Sequence, residues 1–164
     1  MAELAYEMGK KINLDDNTLE GLYLAAIVHD VGKISIPAEL LTKPSALTDL
    51  EFSIIKTHPD SSYDILSKVH TSWPIAEIAW QHHERLDGSG YPRGLKGKDI
   101  LKEAKIIAVA DIVEAVSAHR PYRAGRGIET ALEIIREERD TKLDREAVDA
   151  CLELFEEGFS FEEE

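Results

Sequence analysis

The sequence has little of what staples a small fold or carries a chain through a membrane. Cys151 is the single cysteine among 164 residues, so an internal disulfide is excluded. It lies in an apolar helical pattern and is expected to be a small core residue. No apolar run approaches the ~20 residues that span a bilayer. The opening Met1-Ala2-Glu3-Leu4 lacks the basic-then-apolar order of a signal peptide, which points to a cytoplasmic protein. Positive charge is scarce: 19 Lys and Arg stand against 32 Asp and Glu, a net charge of −13. A binder of polymeric nucleic acid usually carries the opposite sign. A small phosphate ligand is compatible with this charge, because a local cationic site can overcome the overall field. Strand-like alternation and internal repeats are also missing.

What is present is a globular composition with helical periodicity. Hydrophobic residues make up 43% and charged residues 31%, and the length suits one core. Leu19, Leu22, Tyr23, Ala26 and Ile27 form one helical stripe. Ile75, Ile78 and Ala79 begin a second. Ala104, Ile107, Ala108, Ala115 and Ala118 mark a third, and Ala147, Val148, Cys151, Leu152 and Phe155 a fourth. Asp16-Asn17-Thr18 offers N-cap chemistry before the first stripe, and Gly32 a stop after it. Pro37, Pro59 and Pro74 each suit a first helical turn. The long irregular stretch runs from about Arg85 to Gly97 and is rich in glycine, as functional loops often are. Glu137-Glu138 and Glu162-Glu163-Glu164 read as solvated surface and a frayed end. The expectation is an all-α helical bundle over 1–157 with one Gly-rich excursion, and an acidic tail over 158–164.

The stripes lead to ionisable groups. Eleven residues beyond Leu19 lies Asp30, with His29 beside it. Seven and eight beyond Ile75 lie His82 and His83. Asp111 sits in the middle of Ile106-Ile107-Ala108-Val109-Ala110-Asp111-Ile112-Val113. An unpaired charge facing a core is costly, so each needs a partner. Several helices delivering such groups inward is how metal sites are built in bundles. Neighbours on a helix point about 100° apart, so both members of a pair can serve a cluster that holds two ions. His58, just before Pro59, is a sixth candidate. Imidazole and carboxylate suit iron, manganese, zinc or nickel, and the residues alone do not select among them.

These residues resemble a known family. His29-Asp30-Val31-Gly32-Lys33 is similar to the HD-x-G-K signature of the HD superfamily of metal-dependent phosphohydrolases. His82-His83-Glu84-Arg85-Leu86-Asp87-Gly88-Ser89-Gly90-Tyr91-Pro92 is similar to the HHE-x-x-DG-x-GYP signature of its HD-GYP subgroup. Ala110-Asp111 followed by His119-Arg120-Pro121-Tyr122-Arg123 resembles a later Asp and RPYR segment.

The resemblance implies an HD-type bundle, a GYP-bearing loop and two divalent ions, iron or manganese first, zinc or nickel as alternatives. By position, His29, His58, His82, His83 and Asp111 would be ligands and Asp30 would bridge two ions. Lys33 would contact a scissile phosphate oxygen; from the residues alone it also suits a helix C-terminal cation. Arg120 and Arg123 would bind substrate, and Gly90 and Tyr91 would shape the loop over it. The implied reaction is hydrolysis of cyclic di-GMP to linear pGpG, with a second cut to GMP left open. A signalling partner at the GYP loop and a homodimer through the N-terminal helix are further implied. One departure stands out: the family's upstream histidine has no counterpart among the 28 residues before His29. Water, Glu3 or Glu7 would take its place, or one ion would bind poorly. This gap favours a second reading, a catalytically impaired domain that binds cyclic di-GMP or a protein; a separate alternative is an HD phosphohydrolase acting on another nucleotide.

Overall fold

The computed structural model describes residues 1–118 and 127–161. Nine α-helices are seen among them: α1 (Ala2–Lys11), α2 (Asp16–Val28), α3 (Ala38–Leu41), α4 (Asp49–Ile55), α5 (His58–Leu66), α6 (Ile75–Gln81), α7 (Lys102–Ser117), α8 (Ile128–Glu138) and α9 (Arg145–Glu156). Short 3₁₀ turns cover Val31–Ser35 and Gly97–Asp99. Extended pairing among the described residues is limited to one bridge between Arg139 and Leu143. The fold is all-α, as the periodicity predicts.

The core is organised around α7, which packs against α1, α6, α8 and α9. Its buried residues, among them Ala104, Ile106, Ile107, Val109, Ala110 and Val113, lie on all sides of the helix. This is more than the single stripe expected, and it makes α7 the central helix. Ala115 and Ala118, at its far end, are only partly buried. In α2 the buried face is Leu19, Leu22, Ala25 and Ala26, whereas Tyr23 (43%) and Ile27 (57%) are exposed. The expected stripe is thus rotated, because α2 packs on α1 and α6 from one side. The α1 face of Leu4, Ala5 and Met8 is consumed within the chain.

Local signals resolve as follows. The cap of α2 is Asp15, not the three residues after it: its side chain accepts from the Thr18 backbone N–H at 3.1 Å and the Thr18 hydroxyl at 2.7 Å. Thr48 and Glu51 form a capping box at α4. Pro59 lies in the first turn of α5, while Pro37 and Pro74 immediately precede α3 and α6. No described helix is long and apolar enough to cross a membrane.

Cys151 is fully buried in α9, and burial pushes its thiol up to about 12. Between the ordinary thiol value and 12 the unfolded chain has lost this proton while the folded chain keeps it. Stability therefore falls as pH rises through that window. At pH 8 the native protein is expected to resist Ellman's reagent and to release one thiol per chain on unfolding. Rapid native labelling would show that α9 opens.

Candidate metal centre

Three helix C-termini meet at one place. α2 ends at Val28 and α6 at Gln81, with His29 and His82 as their C-caps. α4 ends at Ile55, and His58 opens α5 just beyond it. Each histidine Nδ1 lies on a carbonyl three residues back, in the last turn of a helix. The distances are 2.8 Å for His29 on Ala26, 2.7 Å for His58 on Ile55 and 2.6 Å for His82 on Ala79. A carbonyl only accepts, so Nδ1 carries the proton, and a neutral ring keeps its lone pair on Nε2. These carbonyls are among the ones a helix leaves unpaired. One hydrogen bond therefore both closes the helix end and fixes the tautomer.

The three Nε2 atoms converge on Asp30. His58 Nε2 is 3.1 Å and His82 Nε2 3.7 Å from Oδ1, and His29 Nε2 is 3.3 Å from Oδ2. Asp111, from the middle of α7, brings Oδ1 to 3.9 Å from His29 Nε2. Ligand atoms of Asp30, His58, His82 and His83 fall within 4.8 Å of one another, as do those of His29, Asp30 and Asp111. Asp30 belongs to both sets.

This donor set fits divalent metal ions. His29 Nε2 and Asp30 Oδ1 are buried without a hydrogen-bond partner, a costly condition that a coordinated cation removes. His58 Nε2 and His82 Nε2 face each other at 3.4 Å, a distance at which two lone pairs repel. Imidazole and carboxylate donors suit first-row transition ions, and the Nδ1 bonds are the outer contacts that metal-ligating histidines normally keep.

The electrostatics separate the members. Burial pushes Asp30 up, but His29, His58 and Lys33 outweigh it and hold the carboxyl well below its usual range. Burial likewise opposes ionisation of Asp111, and His29 reverses it downward. For His29, burial acts downward while Asp111 and Asp30 act upward and prevail, to about 10. His82 is lowered to about 3, by burial first and then by His29. His83 is also lowered, by burial and by His82 and His58. Asp30 is thus a permanent anion beside rings of opposite preference.

The 3₁₀ turn after His29 is clasped to α5. The Ser62 hydroxyl accepts from the Gly32 backbone N–H and donates to the His29 carbonyl, both at 2.9 Å. A Cβ on Gly32 would meet the His58 carbonyl oxygen at 2.1 Å, so the turn can lie this close to α5 only with glycine there. The turn aims Lys33 back at Asp30, and the two form an ion pair.

The Gly-rich loop is anchored by a residue to which the sequence pattern assigned no role. Glu84 is 3% exposed, and its two carboxylate oxygens accept from the backbone N–H groups of Arg93 (2.8 Å) and Leu95 (2.9 Å). Arg93 also lies over the Trp80 ring at 4.1 Å. A Cβ on Gly90 would come within 2.5 Å of the 83–85 backbone, so this glycine lets the loop lie flat on it. Tyr91 then stacks on His83, centroids 4.7 Å apart at 24°. Ser62 and Glu84 left only weak traces in the sequence: a serine four residues after His58, and an acidic residue directly after two histidines.

Six of the expected residues, His29, Asp30, His58, His82, His83 and Asp111, come together, with Lys33 and Tyr91 at their edge. Arg120 and Arg123 lie outside the described residues. Glu3 is exposed and Glu7 pairs with Lys10, so neither joins the ligand groups seen among the described residues.

Residues 1–147 match the HD domain family. The chain belongs to that family. A 3'3'-cGAMP-specific phosphodiesterase 1 from Vibrio cholerae is 41% identical over 138 residues, 84% of this chain and 32% of the relative. The cyclic di-GMP phosphodiesterase response regulator RpfG from Xanthomonas campestris is 39% identical over 154 residues, 93% of this chain and 41% of the relative. The chain therefore spans about a third to two fifths of these relatives. Among solved structures, an HDG"Y"P protein from Bdellovibrio bacteriovorus superposes with a TM-score of 0.78 at 20% identity, over 94% of this chain and 50% of that one. The HD domain fold is shared at that distance.

Hydrogen bonds to a charged group contribute about 1.5–3 kcal/mol each. Glu84→Ala is accordingly expected to raise amide exchange at Arg93 and Leu95 at least tenfold, read by NMR. Unchanged protection there would mean that the loop is held by its other contacts.

Proposed function

We propose that this HD domain is a metal-dependent phosphodiesterase that hydrolyses cyclic di-GMP to linear pGpG. The observation that carries the reading is the set of Nδ1 hydrogen bonds of His29, His58 and His82, which aim three Nε2 atoms at one ionised carboxylate. A lone ion pair would need one such ring, not three. The similar phosphodiesterases of Vibrio and Xanthomonas supply the substrate class, cyclic dinucleotides of the cyclic di-GMP and 3'3'-cGAMP type.

His29 and Asp111 would hold one ion, His58, His82 and His83 the other, and Asp30 would be shared between them. Divalent ions held there would supply Lewis acidity and an activated water. Asp30 stays ionised through the working pH range and fixes the spacing of the two sites. Lys33, already paired to Asp30, would place its ammonium against a non-bridging oxygen of the scissile phosphate, where charge grows. Arg120 and Arg123 would bind the substrate phosphates or guanine face, and the loop of Gly90 and Tyr91 would cover His83 and exclude water. The exposed part of that loop is the surface we assign to a signalling partner. Iron or manganese would be the resident ion.

The test is metal content and cyclic di-GMP turnover on one sample, handled without oxygen and loaded with manganese or ferrous iron. Two ions per chain with pGpG as product is the expected result. Ligand binding without product would support a sensor instead. Asp30→Ala is expected to lose both tight metal retention and turnover; full metal content with normal turnover would sink its shared role. Lys33→Ala is expected to keep the metal and lose on the order of 10²–10³ in kcat. A fall in metal content would make Lys33 structural.

A further inference from the structure

A cavity of about 540 Å³ adjoins the candidate metal centre, and three separate elements run from one to the other. On the 3₁₀ turn, Lys33 lines the cavity while pairing with Asp30. At the end of α4, Ile55 lines the cavity while its carbonyl accepts from His58 Nδ1. On α7, Ala115 lines the cavity one helical turn beyond Asp111, about 6 Å along the same face. The far wall is Leu40, Leu41 and Leu47, with Thr42 and Ser45 hydroxyls at intervals. Lys43, also in the lining, is held by both carboxylate oxygens of Glu51 at 2.7 and 2.6 Å. Glu51 in turn accepts from the Thr48 backbone N–H, so the wall is braced to α4.

We propose that this cavity is a nucleobase subsite: it receives one purine of a 3'3'-cyclic dinucleotide whose phosphate lies at Lys33. The inference rests on the phosphodiesterase reading above and adds to it where the base goes. Several observations carry it. The volume lies within the range of small-molecule sites, about 300–1,000 Å³. The walls are aliphatic and suit the flat faces of a base, whose transfer from water they favour. The single cation shared with the metal centre stands where base and phosphate would join. The lining contains neither carboxylate nor carboxamide, the groups that read a purine edge most sharply. The Ser45 hydroxyl can donate or accept, whereas the Thr42 hydroxyl donates to the Ala38 carbonyl at 2.9 Å and offers the cavity only its acceptor lone pairs. The subsite therefore accepts guanine and adenine alike, and any choice between them is made elsewhere.

The experiment compares two substrates on the manganese-loaded 164-residue chain: cyclic di-GMP, and bis(p-nitrophenyl) phosphate, a diester with no base. Leu47→Trp fills the cavity from its partly buried wall, and Ala46→Trp does so from the exposed rim; helical circular dichroism and metal content establish folding. The expected result is a fall on the order of tenfold in the ratio of kcat/KM for cyclic di-GMP to that for the small diester, carried by KM. Parallel changes for both substrates, or no change in the ratio for either variant, overturn the subsite and leave the metal-centre reading standing. Cleavage of neither substrate by the unsubstituted chain overturns the metal-centre reading instead. Calorimetric binding of cyclic di-GMP then decides the subsite: about tenfold weaker binding in Leu47→Trp supports it, and equal or absent binding overturns it.

Discussion

The whole site depends on three short hydrogen bonds from imidazole Nδ1–H to helix carbonyls. Each forms because a histidine follows the end of a helix closely enough for its ring to fold back by three residues. Without those bonds nothing assigns the proton to Nδ1 rather than Nε2, and each helix end loses the partner of one carbonyl. The same geometry presents the C-terminal ends of α2, α4 and α6 to one point. Those ends carry partial negative charge, each worth about 0.3–1 kcal/mol to a nearby cation. The backbone and the side chains thus favour the same sign of ligand. A chain with net charge −13 has no shortage of negative potential, but here it is focused by orientation rather than by number.

The rest of the fold keeps these three ends in register. Ser62 bonds the turn after His29 to α5, the helix that His58 opens. Glu84 bonds the loop after His83 back onto the end of α6. α7 runs through the core and delivers Asp111 from a helix that is otherwise almost entirely apolar on its inner turns. Packing of this kind leaves little room for the centre to widen, since a Cβ at Gly32 or Gly90 already collides with backbone.

Much of this was legible in the sequence, for a physical reason. Apolar periodicity reports which way a helix faces, and extending it by whole turns carries it to whatever ends the helix. That extension led to Asp30, to His82 and His83, and to Asp111. It erred where a helix has more or less than one neighbour. Tyr23 and Ile27 keep the spacing of the α2 stripe yet lie in solvent, and α7 is buried on faces that a single stripe does not mark. The capping residue was displaced by one because Asp15, Asp16 and Asn17 all have suitable side chains, and only the backbone turn decides between them. Ser62 and Glu84 act on backbone groups 9 to 33 residues away, and no local pattern carries that information.

The double use of each histidine has a consequence for how its contribution can be separated. An alanine at 29, 58 or 82 would uncap a helix and empty the centre together, so fraying and lost ligation would be read as one effect. Asparagine is a closer isostere of half the ring: its amide N–H can occupy the place of Nδ1–H and keep the carbonyl satisfied, while nothing reaches where Nε2 stood. Glutamine does the reverse, extending toward Nε2 and abandoning the cap. The two amides divide one imidazole into its architectural and its chemical half.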